Sequence, residues 1–115
     1  ELRNNIAEYY NENLPENVIT PYIDENNTSS WAQYSIIVNN EDRDKLSSYL
    51  NKREIPTAVF YKKPFHLLDI YNANKKSNYD ISLNISERIL SLPMHPYLDK
   101  TELDYIIKSI KSFYD

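Results

Sequence analysis

The sequence predicts an α+β domain, with a small antiparallel or mixed sheet of about three strands and helices packed mainly on one face. Two segments, residues 31–38 and 55–61, alternate apolar and polar side chains as half-buried strands do. Apolar residues at helical spacing lie before, between and after them. The chain has 115 residues and no cysteine, a length that can bury one core without disulfides. Residues 1–115 are therefore expected to form a single domain.

The opening segment predicts a helix over about residues 1–13. Leu2, Ile6, Tyr9 and Tyr10 follow helical spacing. Pro15 disfavours the helical conformation of the residue before it, so the helix should end there. Because no capping residue precedes the apolar pattern, we expect this helix to begin ahead of Glu1, in a longer protein.

Two strand-like segments follow. Residues 18–23 are interrupted by Pro21, which cannot donate to a ladder, so they are predicted as an edge or irregular strand. Residues 31–38 alternate more clearly, with Tyr34 and Ile36 on the apolar face and Trp31 and Gln33 on the other. Trp31 is either a core residue or a contact to another domain or subunit.

The second helix is bounded by charges that suit its dipole. Asn39 or Asn40 can cap it, and acidic residues follow in its first turn, while Lys52 and Arg53 end it. Residues 55–61 then form the second clear strand.

The C-terminal part predicts two helices. The first spans residues 81–92, on the spacing of Ile81, Ile85, Ile89 and Leu92, and ends at Pro93. The last is the best defined, because Asp99 and Glu102 form a capping box. Its apolar face is formed by Leu103, Ile106, Ile107, Ile110 and Phe113.

Composition excludes several classes of function. The net charge is −4 with no basic stripe, so nucleic-acid binding is not expected. The sequence shows no signal peptide or membrane-spanning apolar run, which favours a cytoplasmic protein without membrane contact. There is no glycine, hence no glycine-rich phosphate loop. Metal ligands are absent at the usual spacing, so no metal site is expected.

Three ordered segments carry a family resemblance. They read SWAQYSI at residues 30–36, IPTAVFY at 55–61 with PFHL at 64–67, and SLPMHPYL at 91–98. Together they resemble the C-terminal part of the DegT/StrS family of pyridoxal-phosphate-dependent nucleotide-sugar aminotransferases. The second and third of these motifs are most similar to the branch that acts on UDP-linked N-acetyl keto-sugars. That branch supplies amino sugars for O-antigen or for pilin and flagellin glycosylation.

The resemblance implies that residues 1–115 are the small C-terminal domain of a fold-type-I aminotransferase. A large domain that binds pyridoxal phosphate would precede them, with residues 1–14 continuing a helix from it. The parent would be a homodimer that moves an amino group from glutamate to a UDP-linked keto-sugar. This chain would be inactive alone, would hold no cofactor and would supply a wall of the substrate pocket.

The resemblance also implies two substrate-binding residues, Tyr61 and His66, and no catalytic or cofactor-binding residue within this chain. From the residues alone, the alternative to substrate binding is that Tyr61 is an ordinary tyrosine at a strand end and that His66 is a structural hydrogen-bond donor. Lys62 and Lys63 are interpreted as a solvated corner, since a Schiff-base lysine must be desolvated over its cofactor. His95 is interpreted as a loop anchor.

Three positions depart from the family pattern. Phe60 replaces a polar residue, Lys62 replaces a proline, and Glu54 replaces a glycine at a position where positive φ would be easy. A degraded paralogue is thus one alternative. Another, from a different class, is a free-standing α+β binding or interaction module without catalysis.

Overall fold

The computed structural model describes residues 1–59 and 80–115, and within them the chain is an α+β structure. Its elements, in chain order, are α1 (Leu2–Asn13), β1 (Tyr34–Ile37), α2 (Asn40–Lys52), α3 (Asp80–Arg88), β2 (Ile89–Leu92) and α4 (Lys100–Tyr114). The prediction of an α+β class is confirmed.

The sheet of the described part consists of β1 and β2, which pair antiparallel. Tyr34 lies opposite Leu92 and Ile36 opposite Leu90, and all four side chains are buried. The expected third strand is not found there. Instead, Ile19 makes a single antiparallel bridge to Ile37 of β1, and Ala58 makes one to Ser91 of β2.

The prediction of one helix over residues 81–92 is wrong, because the helix ends at Arg88 and β2 begins at Ile89. The apolar spacing at 81, 85, 89 and 92 fits a helix, but Leu90 and Leu92 also alternate as a strand does, and pairing with β1 decides between them. Two arginines stabilise the junction between α3 and β2 through hydrogen bonds to backbone carbonyls. Arg88 Nε donates to Val38 O at 2.8 Å, and Arg43 Nη1 to Ser86 O at 2.7 Å.

β1 begins at Tyr34 rather than at the predicted Trp31, because the backbone of Trp31 is left-handed, with φ 51°. This conformation is unusual for a bulky residue and persists only where packing enforces it. The Trp31 ring is buried and lies 5.7 Å from that of Tyr34. Of the two interpretations of Trp31, the structure supports the core residue.

The first and last helices follow their predictions closely. α1 buries Ile6, Ala7 and Tyr10 and ends before Pro15. α4 begins with the predicted capping box, in which Asp99 and Glu102 each accept from the other's backbone N–H. The buried core joins residues from both helices, α2 and the sheet: Ile6, Tyr10, Tyr34, Ile36, Val38, Leu46, Leu50, Leu90, Leu92, Leu103, Ile106, Ile107 and Ile110.

The C-terminus of α2 has the hydrogen bonds of a Schellman motif. Ile55 N donates to Leu50 O at 2.9 Å, and Glu54 N donates to Asn51 O at 3.0 Å. This motif places Glu54 in the left-handed region, with φ 64°. Glycine is the usual residue at such a position, so the departure seen in the sequence corresponds to local backbone strain.

Candidate functional site

The two predicted substrate-binding residues, Tyr61 and His66, lie outside the described residues, as do Phe60, Lys62 and Lys63. Their assignment therefore stays a prediction. The segment that leads to them is described through Val59. It leaves α2 at the Schellman motif, and its residue Ala58 bridges to Ser91 of β2.

A cleft of ≈ 270 Å³ lies along this segment. Its walls come from three places in the chain: the residues before β1, the segment after α2, and the end of β2 with the loop that follows. The lining residues are Ala32, Gln33, Pro56, Thr57, Ala58, Ser91, Leu92, Pro93 and Met94.

These walls belong to the three segments that carry the family resemblance, at 30–36, 55–61 and 91–98. The segments are far apart in sequence and meet because β1 and β2 pair and Ala58 bridges to β2. The cleft is therefore where the distinctive parts of the sequence converge.

Ser91 is the centre of the cleft wall. Its backbone exchanges two hydrogen bonds with Ala58, with N–H to O distances of 2.8 and 3.2 Å. Its hydroxyl forms a 2.7 Å hydrogen bond with that of Ser35, directly opposite on β1. The backbone pair holds Ala58 against β2, and the hydroxyl contact joins β2 to β1.

Side-chain hydrogen bonds attach the cleft walls to the helices. Thr57 Oγ1 and Ser47 Oγ lie 2.8 Å apart, joining the strand-like segment to α2. On the opposite wall, the Tyr10 hydroxyl donates to Pro93 O at 2.8 Å, which anchors the end of β2 to α1. Such partly buried polar contacts to helices hold a surface in place more firmly than contacts between loops do.

Behind this wall, two tyrosines stack. The rings of Tyr10 and Tyr34 lie 4.6 Å apart at 28°, and the Tyr34 hydroxyl donates to Asn11 Oδ1 at 2.6 Å. Burial raises the pKa of both hydroxyls far above the ordinary tyrosine value, with the neighbouring Tyr34 adding to the effect on Tyr10. Both groups stay protonated at neutral pH, so they serve as structural donors rather than as acid–base groups.

Among the described residues that line the cleft, none has an ionisable side chain. Their polar side-chain groups are the Gln33 amide and the Thr57 and Ser91 hydroxyls, and Gln33 is exposed. This chemistry suits hydrogen bonding to a neutral polar ligand and does not provide a general base. Strand alternation correctly placed Gln33 away from the core, but only the sheet pairing shows that it lines a cleft.

Pyridoxal-phosphate chemistry requires a lysine held in a desolvated position. All lysines within 1–59 and 80–115 are exposed, namely Lys45, Lys52, Lys100, Lys108 and Lys111. None of them fits the aldimine role. The same part of the chain contains no group of three side chains suited to a metal ion. Nor does it contain a helix long and apolar enough to cross a membrane.

Comparison with known protein families gives the class of protein to which the chain belongs. Residues 1–111 match the model of the DegT/DnrJ/EryC1/StrS aminotransferase family. The chain belongs to this family.

A curated relative and two solved structures illustrate the match. The UDP-2-acetamido-2-deoxy-3-oxo-D-glucuronate aminotransferase of Pseudomonas aeruginosa is 32% identical over 110 residues, which cover 95% of this chain and 30% of that protein. A DegT/DnrJ/EryC1/StrS aminotransferase from Brucella abortus is 41% identical with a TM-score of 0.89, covering 97% of this chain and 30% of that one. NtdA from Bacillus subtilis, crystallised with bound PMP, shares the fold at 20% identity, with a TM-score of 0.84, and the match covers 96% and 27% of the two chains.

This chain thus spans about 30% of the length of the relatives that it matches.

Proposed function

We propose that the chain is the small C-terminal domain of a sugar aminotransferase, which transfers an amino group from glutamate to the keto group of a UDP-linked sugar. The whole enzyme would be a cytoplasmic homodimer that supplies amino sugars for surface polysaccharide or protein glycosylation. A large domain ahead of Glu1 would carry pyridoxal phosphate, and α1 would continue from it. This domain would contribute a wall of the substrate pocket and be inactive alone.

The observation that carries this proposal is the cleft. Its three walls are the segments that resemble the UDP-sugar branch, and Val59 lies two positions before Tyr61 in the chain. The name of the Pseudomonas relative, a UDP-sugar aminotransferase, supports a UDP-linked substrate.

The cofactor belongs to the proposed large domain, because no described lysine fits it. When bound there, pyridoxal phosphate would supply the electron sink that amino-group transfer needs. The residues of this chain would orient the sugar. Tyr61 would offer a ring and a hydroxyl to the sugar or its diphosphate, His66 a ring nitrogen, and Gln33 its amide.

The test uses the full-length enzyme in the reverse direction, with a UDP-amino-sugar and 2-oxoglutarate and with glutamate as the measured product. Tyr61→Phe should raise KM for the sugar nucleotide about tenfold, the effect of one lost hydrogen bond of about 1.4 kcal/mol. The absorption spectrum of bound pyridoxal phosphate should not change. His66→Asn should act in the same direction.

Tyr105→Phe is the matched control, since it also removes one tyrosine hydroxyl, on α4, where that group donates to Arg53 O. It should leave KM unchanged. Unaltered kinetics of Tyr61→Phe would remove Tyr61 from the pocket. A full-length protein that neither binds pyridoxal phosphate nor forms glutamate would favour the non-catalytic binding module instead.

A further inference from the structure

Arg43, in the first turn of α2, is a buried cation whose role the cleft does not explain. Of the charged residues in 1–59 and 84–115, it is the one that is buried, with an exposure of 9%. It is not among the residues that line the cleft. A guanidinium is almost never buried unless its donors are paired, so the groups that it pairs with indicate its role.

The guanidinium of Arg43 lies against the junction between α3 and β2. Its Nη1 donates to Ser86 O at 2.7 Å and to Ile89 O at 3.4 Å. Its Nε donates to the carboxylate of Asp44 at 2.8 Å, although that side chain is 84% exposed. A cation at this position also suits the negative end of the α3 dipole. Arg43 therefore joins α2 to one carbonyl of α3 and to one carbonyl of β2.

These two carbonyls would have a different donor, or none, if α3 continued as a longer helix. Ser86 O would then accept a hydrogen bond from the N–H of Leu90, four residues later. Ile89 O would have no helical donor, because Pro93 lacks an N–H. In the observed structure Arg43 supplies a donor to both carbonyls. Its contacts therefore favour the strand over the longer helix at residues 89–92.

Local sequence leaves the choice between helix and strand open at this point. The apolar spacing from Ile81 to Leu92 fits a helix, whereas Leu90 and Leu92 alternate as a strand does. The carbonyl of Arg88, which a longer helix would pair with the N–H of Leu92, accepts from Val38 N at 3.1 Å instead. Contacts from α2 and from the residue after β1 therefore select the strand.

We propose that Arg43 is a positioning residue for the cleft, because it keeps residues 89–92 in the strand that carries Ser91. In this strand the backbone of Ser91 pairs with Ala58, and its hydroxyl with that of Ser35. A helix at 89–92, or a strand shifted by one residue, would turn Ser91 away from both. The cleft would then lose the centre of its wall. This inference rests on the proposed function, in which the cleft contributes to the substrate pocket.

The first experiment measures amide exchange of the full-length protein with Arg43→Met, which keeps the apolar stem and removes the donors. Exchange at residues 89–92 should become at least about tenfold faster, the effect of losing a hydrogen bond from a charged donor. Exchange in α4 should change less than about threefold, because the opening is local. Ile110→Ala is the control for a general loss of stability and should accelerate both regions alike. Equal acceleration of both regions by Arg43→Met would overturn the proposal, as would unchanged exchange at 89–92.

Two further variants separate the contact from the mere presence of an arginine in α2. Arg43→Lys is milder, since its ammonium keeps the charge and can donate to Ser86 O, and it should give an intermediate exchange rate at 89–92. Arg53→Met is the matched control at the other end of α2, where the guanidinium lies 4.5 Å from the centre of the Tyr49 ring. It should leave exchange at 89–92 unchanged. An effect of Arg53→Met as large as that of Arg43→Met would contradict a specific role of Arg43.

The second experiment follows the reverse reaction of the full-length enzyme. Arg43→Met should raise KM for the UDP-amino-sugar at least about threefold and leave KM for 2-oxoglutarate unchanged. The absorption spectrum of bound pyridoxal phosphate should also stay the same. A purely structural role would reduce the amount of active enzyme, and with it the apparent kcat, without changing KM. An unchanged KM for the UDP-amino-sugar would therefore overturn the positioning role.

The two proposals can fail separately. Unchanged exchange at 89–92 after Arg43→Met, in a preparation that binds pyridoxal phosphate and transaminates, would overturn the positioning role alone. Accelerated exchange confined to 89–92, in a full-length protein without cofactor or activity, would overturn the enzymatic function and leave the control of β2 by Arg43 in place.

Discussion

The two sides of the molecule, around α4 and around α1, differ in how completely they are covered. α4 buries Leu103, Ile106, Ile107 and Ile110 against the core, and its end is closed by an aromatic contact, Phe113 to Tyr49, with ring centroids 5.5 Å apart. The α1 side buries Ile6, Ala7 and Tyr10, but Leu2 in its first turn and Tyr22 and Ile23 in the loop that follows are exposed.

Apolar residues on the α4 side and on the α1 side therefore contribute differently to the stability of this domain. On the α4 side they follow helical spacing and stabilise this domain by itself. On the α1 side, Leu2 follows the helical spacing of the buried residues and yet is exposed, and Tyr22 and Ile23 are exposed in a loop. These exposed apolar side chains therefore add little to the stability of this domain by themselves.

The largest difference in stability between the two sides is expected when one isoleucine on each side is truncated to alanine. Ile110→Ala removes a side chain with no exposed surface and should destabilise this 115-residue chain by about 2–5 kcal/mol. Ile23→Ala should cost less than about 0.5 kcal/mol in the same chain, because Ile23 is already partly solvated. Urea denaturation measures both. Equal losses would mean that Ile23 contributes to the core as much as Ile110 does.

The helix caps give a smaller contrast. Asp99→Ala breaks the capping box of α4 and should cost about 1 kcal/mol. Asn39→Ala, at the N-cap of α2, should cost clearly less, since Asn39 makes no side-chain capping bond. The midpoint of thermal unfolding reports both changes. A loss at Asn39 as large as that at Asp99 would contradict the capping contacts seen here.

The smallest expected effect has the opposite sign. Glu54→Gly should stabilise the chain by about 0.5–1 kcal/mol, because glycine adopts the left-handed conformation of Glu54 without steric cost. Asn51→Gly, three positions earlier inside α2, is the control and should destabilise it by about 0.3 kcal/mol. Chemical denaturation of both variants tests the sign. Destabilisation by Glu54→Gly would show that the glutamate side chain offsets the strain.

Local signals predicted some elements well. The capping box and the apolar stripe of α4, and the proline that ends α1, specify their helices through neighbours within a few residues. β2 could not be predicted in this way. Its residues fit a helix as well as a strand, and only the partner strand more than fifty residues away decides.

The candidate site shows the same limit. The resemblance indicated Tyr61 and His66, which lie outside the described residues and stay predictions. It did not indicate the cleft, because Gln33, Thr57 and Ser91 have no sequence pattern in common. They are neighbours only through the pairing of β1 with β2 and the bridge at Ala58.

The sequence by itself determined the α+β class, the bounds of α1 and α4, and the family segments. The reason is that helical periodicity, capping residues and sequence motifs each depend on residues that are close together in the chain. Tertiary structure decided the strand identity of residues 89–92, the inward position of Trp31, the cleft, and the exposure of Leu2, Tyr22 and Ile23. The physical reason is that pairing and burial depend on distant residues whose contacts no local pattern encodes.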